Sequence, residues 1–393
     1  MIKKVIFLTD NPFNYRDYKM FGCEILESEG FAVEAWDCSP VVYPEVSQKY
    51  VPPDKFTFER LRVFQREKAV LNAIRGIRAD TAVLIYLDFT WKHRNIFSAL
   101  RVSNHVFNVK HLVGELPAIK APQKRHILAR LTGLRTQPGK LLDYAARKIP
   151  YRLWRLKPAD FILAGGCETV CFEYPNSTAS RIIWCQALDY DSYLALERQG
   201  AGPCRRSGDY AVFLDQYVPF HSDYLYNKNS PRYDPDAYYS TLLKYFAAFE
   251  KQTGLHVKIA AHPRSKYEER GDLFQGREVT RGKTAELVRD ATIVLLHGSV
   301  ALNFAVLYRK PVIFITLDMF KETRLGSLTN EAAHRLGKSP INISEPHEMD
   351  FEGEFRFDPS KYERYQDAFI KTKNTPREFA FHILADHLKY LRN

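Results

Sequence analysis

His262, Pro263 and Arg264 stand together directly after an apolar, β-rich run at 255–260. Proline fixes the backbone at the strand exit. A His and an Arg placed there can donate to an anionic group such as a nucleotide phosphate. Gly298 and Ser299 follow the next strong apolar run, at 292–296, and open a stretch with helical spacing. A helix start offers unpaired N–H groups, here beside a serine hydroxyl, which suits an anion, and Gly298 permits close backbone approach. Arg281-Gly282-Lys283-Thr284 lies between the two, with Thr284 placed to cap a short helix. Each group alone reads as an ordinary cap or a satisfied loop. Three of them at strand ends in one half of the chain point to a shared site.

Such residues must be carried by a parallel sheet. Short β-rich runs alternate with helical patterns along the chain, the signature of an α/β fold. The first half places strands at 5–9, 31–36, 81–87, 105–109, 160–164 and 181–185, with a helix ended by Gly30 after the first of them. The second half places strands at 210–214, 255–260, 292–296 and 311–316. A long helix at 235–253 there buries Tyr238, Leu242, Phe246 and Phe249 and ends at Gly254. Two helices close the chain. The polar stretch 199–208 reads as a linker. The expected division is an N-terminal Rossmann-like domain at 1–200, a C-terminal Rossmann-like domain at 209–345 and helices at 346–393 that pack back on the body. Ligands of doubly wound sheets sit beyond the carboxyl ends of the strands. That criterion selects Asp10, Asp88, Gly165-Gly166, Asp215, His262, His297 and Ser299.

The chain has 393 residues, 45% of them hydrophobic, so it can bury substantial cores and is not globally disordered. Its net charge of +11 is local: the segment 120–157 holds eleven Lys/Arg against one acid, Asp143. A single basic segment argues for one local anionic partner. No apolar run is long enough to span a membrane, and the apolar part of the N-terminus is too short for a signal peptide. The six cysteines lack the spacing of a zinc site and read as reduced cytosolic thiols. Asp189-Tyr190-Asp191 matches a D-x-D metal pattern, but three-residue matches are frequent by chance. Gly165-Gly166 lacks the dinucleotide-binding spacing.

The run Ala260-Ala261-His262-Pro263-Arg264, followed by Lys283-Thr284-Ala285-Glu286-Leu287-Val288, resembles the nucleotide half of GT-B glycosyltransferases. So do Val294-Leu295-Leu296-His297-Gly298-Ser299 and Leu307-Tyr308-Arg309-Lys310-Pro311-Val312. The His-Pro pair followed by a helix-opening Ser is similar to bacterial sialyl- and polysialyltransferases. Phe213-Leu214-Asp215-Gln216 resembles the capsule β-Kdo transferases, which also use a CMP-activated donor. The resemblance covers about residues 210–316 and implies a metal-independent GT-B glycosyltransferase with no cofactor and a sugar nucleotide, CMP-linked and acidic, as donor. It implies that His262 contacts the donor phosphate, that Ser299 and the N–H groups around it hold phosphate or cytidine, and that Asp215 lies near the anomeric carbon. His262, Pro263, Arg264, Arg281, Lys283, Thr284, His297, Gly298 and Ser299 form the expected donor site.

An inverting transferase needs a base for the acceptor hydroxyl; a retaining one can use a carboxylate as nucleophile. Positive groups must neutralise the leaving phosphate. Asp215 is the first candidate carboxylate and Glu115, in Val113-Gly114-Glu115-Leu116-Pro117, the second, with Gln216, His221 and Asp223 as supporting neighbours. Asp10 and Asp88 rank below them. In the basic segment an apolar stripe (Leu141, Leu142, Ala145, Ala146, Ile149) is ringed by Arg147, Lys148, Arg152, Arg155 and Lys157 with Tyr151 and Trp154 between. That pattern suits the anionic face of the inner membrane, where a lipid-linked glycan acceptor sits; a solvated helix pair packed on the sheet is the alternative. No nucleic-acid motif accompanies the charge. The expected protein is therefore a cytoplasmic, peripherally membrane-bound transferase acting on a capsule, lipopolysaccharide or related surface glycan. The rivals are a CDP-alditol-type phosphotransferase of the same fold and a non-catalytic nucleotide-sugar-binding assembly subunit.

Overall fold

The computed structural model describes residues 1–52, 55–102, 107–111, 117, 151, 153, 156–172, 174–200, 208–221, 223–226, 230–345 and 351–391. Glu115, most of the basic segment 120–157, Cys204 and most of the 199–208 linker lie outside the described residues.

Two parallel sheets organise the chain. The first holds seven strands: β1 (Lys4–Thr9), β2 (Ala32–Asp37), β3 (Leu61–Val63), β4 (Thr81–Ile85), β5 (Phe107–His111), β6 (Phe161–Ala164) and β7 (Arg181–Trp184), in spatial order 3-2-1-4-5-6-7. The second holds β8 (Tyr210–Leu214), β9 (His256–Ala261), β10 (Val279–Arg281), β11 (Ile293–Leu296), β12 (Val312–Thr316) and β13 (Ile341–Asn342), in order 10-9-8-11-12-13. Both orders start beside the first strand of the set, run outward one way, and then reverse across it. This is the doubly wound Rossmann pattern, and the reversal falls between β1 and β4 in one sheet and between β8 and β11 in the other.

The strands form because their runs are apolar on both faces, as a sheet covered by helices on both sides requires. β8, Tyr-Ala-Val-Phe-Leu, is buried at every position. The Pro235–Thr253 helix starts at an Asp234 cap, whose carboxylate accepts from Ala237 N, and ends at Gly254 with φ 72°. It buries Tyr238, Leu242, Phe246 and Phe249 against β8, β9 and β11.

Three features depart from the sequence expectation. The single helix expected after β1 is two helices, Tyr15–Met20 and Cys23–Ser28, broken at Gly22 with φ 57°. A Cβ on Gly22 would stand 2.4 Å from the ring of Phe381, so the break lets another helix come close. That helix, Ala380–Tyr390, returns from the second half and completes the first core with Phe381, Ile383, Leu384 and Leu388. Second, Gly165-Gly166 serves this return rather than a ligand. A Cβ at Gly166 would lie 2.1 Å from Ala368 O, and the N–H groups of Cys167, Glu168 and Ala187 donate to Asp367, Ala368 and Ile370 carbonyls. Third, the short edge strands β3, β10 and β13 are additional to the expected set.

Candidate donor site between the two sheets

Each switch point is bridged by a strand-end side chain. In the first sheet the Asp10 carboxylate, buried after β1, accepts from Asp88 N after β4 at 3.4 Å and from Asn11 Nδ2 at 3.0 Å. In the second, Gln216 Nε2, after β8, donates to Gly298 O, after β11, at 2.7 Å. Both bridges hold two loops at a fixed spacing at the end of the sheet where ligands bind.

Asp215 is the organiser of the second site. It is only 5% exposed. One carboxylate oxygen accepts from Tyr217 N at 3.0 Å; the other accepts from Tyr267 Oη at 2.7 Å and His262 N at 3.5 Å. Burial raises its pKa, and these three donors oppose that rise. With both oxygens engaged beneath the loop, Asp215 does not present a carboxylate to an anomeric carbon. It ties the β8 end to the His262 loop instead.

His262 is fixed at both ring nitrogens. Arg264 N donates to Nδ1 at 3.2 Å, so Nδ1 is an acceptor and Nε2 carries the proton. Nε2–H then donates to His221 Nε2 at 3.3 Å, with the rings edge to face at 4.7 Å. Arg281, the last residue of β10, donates from Nη1 to Ser265 O at 3.0 Å and stands 3.5 Å from Glu268. Asp215, His221, His262, Arg264 and Arg281 thus converge on one loop, 262–268, at the carboxyl ends of β8 and β9.

The other expected residues divide. Ser299 Oγ accepts from Ala301 N at 3.3 Å and begins the turn into the Leu302–Leu307 helix. Pro263 and Lys283 are exposed. Thr284 is the first residue of its helix rather than its cap: the cap position is Lys283 and no side chain bonds there. Gly298 is a packing glycine, since a Cβ would lie 2.9 Å from Thr329 N. His297 is not a donor contact. It is fully buried, with Nδ1 at 2.7 Å from Ile315 O and Nε2 at 3.1 Å from Tyr238 Oη. Burial pushes its pKa down to about 4, so it stays neutral and pins β11 to β12.

The D-x-D carboxylates do not share a ligand. Asp191 accepts from Gln186 Nε2 at 2.7 Å and Ala380 N at 3.1 Å, anchoring the returning helix. Asp189 accepts from Asn303 Nδ2 at 3.0 Å. Among the described residues no cluster of His, Cys, Asp and Glu could hold a metal ion, and Cys23, Cys38, Cys167, Cys171 and Cys185 are free thiols.

Several contacts across the cleft carry no sequence signal. Tyr226 Oη donates to Asn11 Oδ1, and Tyr43 meets the Tyr226 ring edge-on at 5.3 Å. Arg264 lies 5.8 Å from the Tyr50 ring centroid. Arg16, from the Tyr15–Met20 helix, stands 3.9 Å from Asp17 and within electrostatic reach of Arg264 and Asp189. Burial, then Arg264, lowers the Arg16 pKa; burial pushes Asp17 and Asp189 up to about 6 each.

No family model and no curated protein matches the chain. Among solved structures it is similar to CalG4, the calicheamicin glycosyltransferase, at 11% identity and a TM-score of 0.49, covering 99% of this chain and 98% of that one. It is similar also to the wall teichoic acid polymerase TagF, at 10% identity and 0.49, covering 98% and 88%. A third similar structure is UDP-GlcNAc 2-epimerase from Methanocaldococcus jannaschii, at 10% identity and 0.46, covering both chains in full. The architecture is GT-B on its own strand orders: two Rossmann-like sheets and a C-terminal helix that crosses back to the first.

Proposed function

We propose that the chain is a glycosyltransferase that moves a sugar from a nucleotide donor, CMP-linked and acidic, onto a surface glycan. The observation that carries this reading is the 262–268 loop. It stands at the ligand end of a Rossmann sheet, held from below by Asp215 and from the side by Arg281, with His221, His262 and Arg264 on it or against it.

The chemistry follows from that loop. Departure of a nucleotide concentrates negative charge on its phosphate. His262 and Arg264, on the loop at the end of β9, are assigned to the leaving phosphate, and Ser299 adds a hydroxyl from the β11 side. Asp215 acts as a positioning residue. The proton of the acceptor hydroxyl is assigned to Glu115, on the first-domain side of the chain.

The basic segment is assigned to the membrane that carries the acceptor. At its end Leu153 is 73% exposed, while Leu156 is buried and Lys157 pairs with Asp160 at 2.8 Å. No helix among the described residues is long and apolar enough to cross a membrane.

A transfer assay with CMP-Kdo and CMP-sialic acid tests the reading. The expected outcome is CMP release coupled to glycan extension, reduced about 10²-fold or more in His262→Ala. CMP release coupled to phospho-alditol transfer from a CDP-alditol, or wild-type activity in His262→Ala, would overturn it.

A further inference from the structure

Among the described residues Arg16 lacks the partners a cation in a cleft ordinarily has. It is half-buried, and among the described residues it donates no hydrogen bond; its one ion pair is the long 3.9 Å contact to Asp17. Both nearby acids are engaged elsewhere. Asp17 forms a capping box with Asn14, accepting from Asn14 N at 3.3 Å, and Asp189 accepts from Asn303. From across the cleft Arg264, 5.8 Å from the Tyr50 ring of the first domain, lies within electrostatic reach of Arg16. Like charges within such reach in a partly dry cleft repel. The packing that brings them together is built: Asn11 bonds Tyr226, and Tyr43 packs on the same ring.

We propose that Arg16 and Arg264 form a two-guanidinium clamp, one arm from each domain, that closes on a single oxyanion of the donor. The inference rests on the reading of this cleft as a donor site. A guanidinium presents a planar fork of donors that matches phosphate or carboxylate two bonds at a time. An oxyanion between the two arms cancels their repulsion and supplies the acceptors that Arg16 lacks. Donor binding then engages both halves of the cleft at once, because neither arm alone makes the full site. The two oxyanions of an acidic sugar nucleotide, its phosphate and the carboxylate of its sugar, share this chemistry.

Calorimetric titration at low salt separates them. Wild type, Arg16→Ala, Arg16→Lys, Arg264→Ala and the double variant are each titrated with CMP and with free Kdo. Arg16→Ala is expected to weaken binding about 10- to 100-fold, the range for hydrogen bonds to charged groups. Arg16→Lys restores only part of this, since a point charge lacks the fork. The double variant loses less than the product of the two single losses. A loss confined to CMP assigns the clamp to phosphate; a loss confined to Kdo assigns it to the carboxylate. Arg16→Ala or Arg16→Lys binding both ligands like a normally binding wild type would overturn the clamp while leaving the donor site standing. Wild type binding neither ligand would overturn the donor site and the clamp with it.

Discussion

Asp215 and His297 are the residues at which residue type and role part company. A strand-end Asp and a strand-end His both look like site groups in a sequence, because the strand end is where sites lie. Which way the side chain turns depends on what is packed below it. Asp215 meets the Tyr267 hydroxyl and two backbone N–H groups, and His297 meets Tyr238 and Ile315 O. Tyr267 and Tyr238 come from elements far along the chain, so no local pattern announces them. Arg16 was illegible for the same reason: it sits in a short helix and gains meaning only opposite Arg264. By contrast His262 and Arg264 stand together because strand, proline and loop follow one another locally, while His221, 41 residues away, reaches them because β8 and β9 are neighbours in the sheet.

Asp189 supplies a prediction at this scale. Burial lifts its pKa to about 6, against about 3.9 in an unfolded chain. The folded state therefore binds more protons between those values, and the stability of the protonated form is lost as pH rises through the window. Asp189→Asn keeps an acceptor and a donor for Asn303 while removing the charge. Thermal unfolding should show it stabilised at pH 7.5 by roughly 1–3 kcal/mol and unchanged near pH 4. An equal effect at both pH values would mean the charge is not what costs stability.

At the scale of elements, the long apolar strands and the Pro235–Thr253 helix were legible because their burial is written in period and capping. The edge strands β3, β10 and β13 were not. Each has two or three residues and one neighbour, too short for any period to register. The return of the Ala380–Tyr390 helix to the first core is likewise a long-range fact, though it leaves a trace in Gly165-Gly166 and Gly22. Gly166→Ala should destabilise the chain by about 3 kcal/mol or more in denaturant unfolding, because its Cβ would meet backbone that has no room to move. Gly353→Ala, whose Cβ meets open space, should change stability by no more than about 0.5 kcal/mol. Similar losses in the two variants would show that the crossover does not pack as tightly as described.

For the whole molecule, the net charge of +11 is a statement about one segment rather than about the surface. If that segment is a membrane address, flotation with liposomes should require anionic lipid and weaken from 50 to 300 mM salt, as screening of surface charge demands. Binding to neutral liposomes at high salt would assign the attraction to apolar contact instead. The rest of the molecule is a two-sheet frame whose switch points are each cross-braced, by Asp10 to Asp88 and by Gln216 to Gly298. On the function proposed above, this frame holds a nucleotide at the second sheet while the first presents what will react with it. Thermal-shift titration of the wild-type chain with CMP, CDP, UDP and GDP tests that claim most directly. Selective binding raises the unfolding temperature in proportion to the logarithm of ligand concentration over Kd. CMP should raise the unfolding temperature, and His262→Ala should diminish the rise; a response to UDP or GDP and none to CMP, or no response to any nucleotide, would contradict CMP binding at the His262 loop.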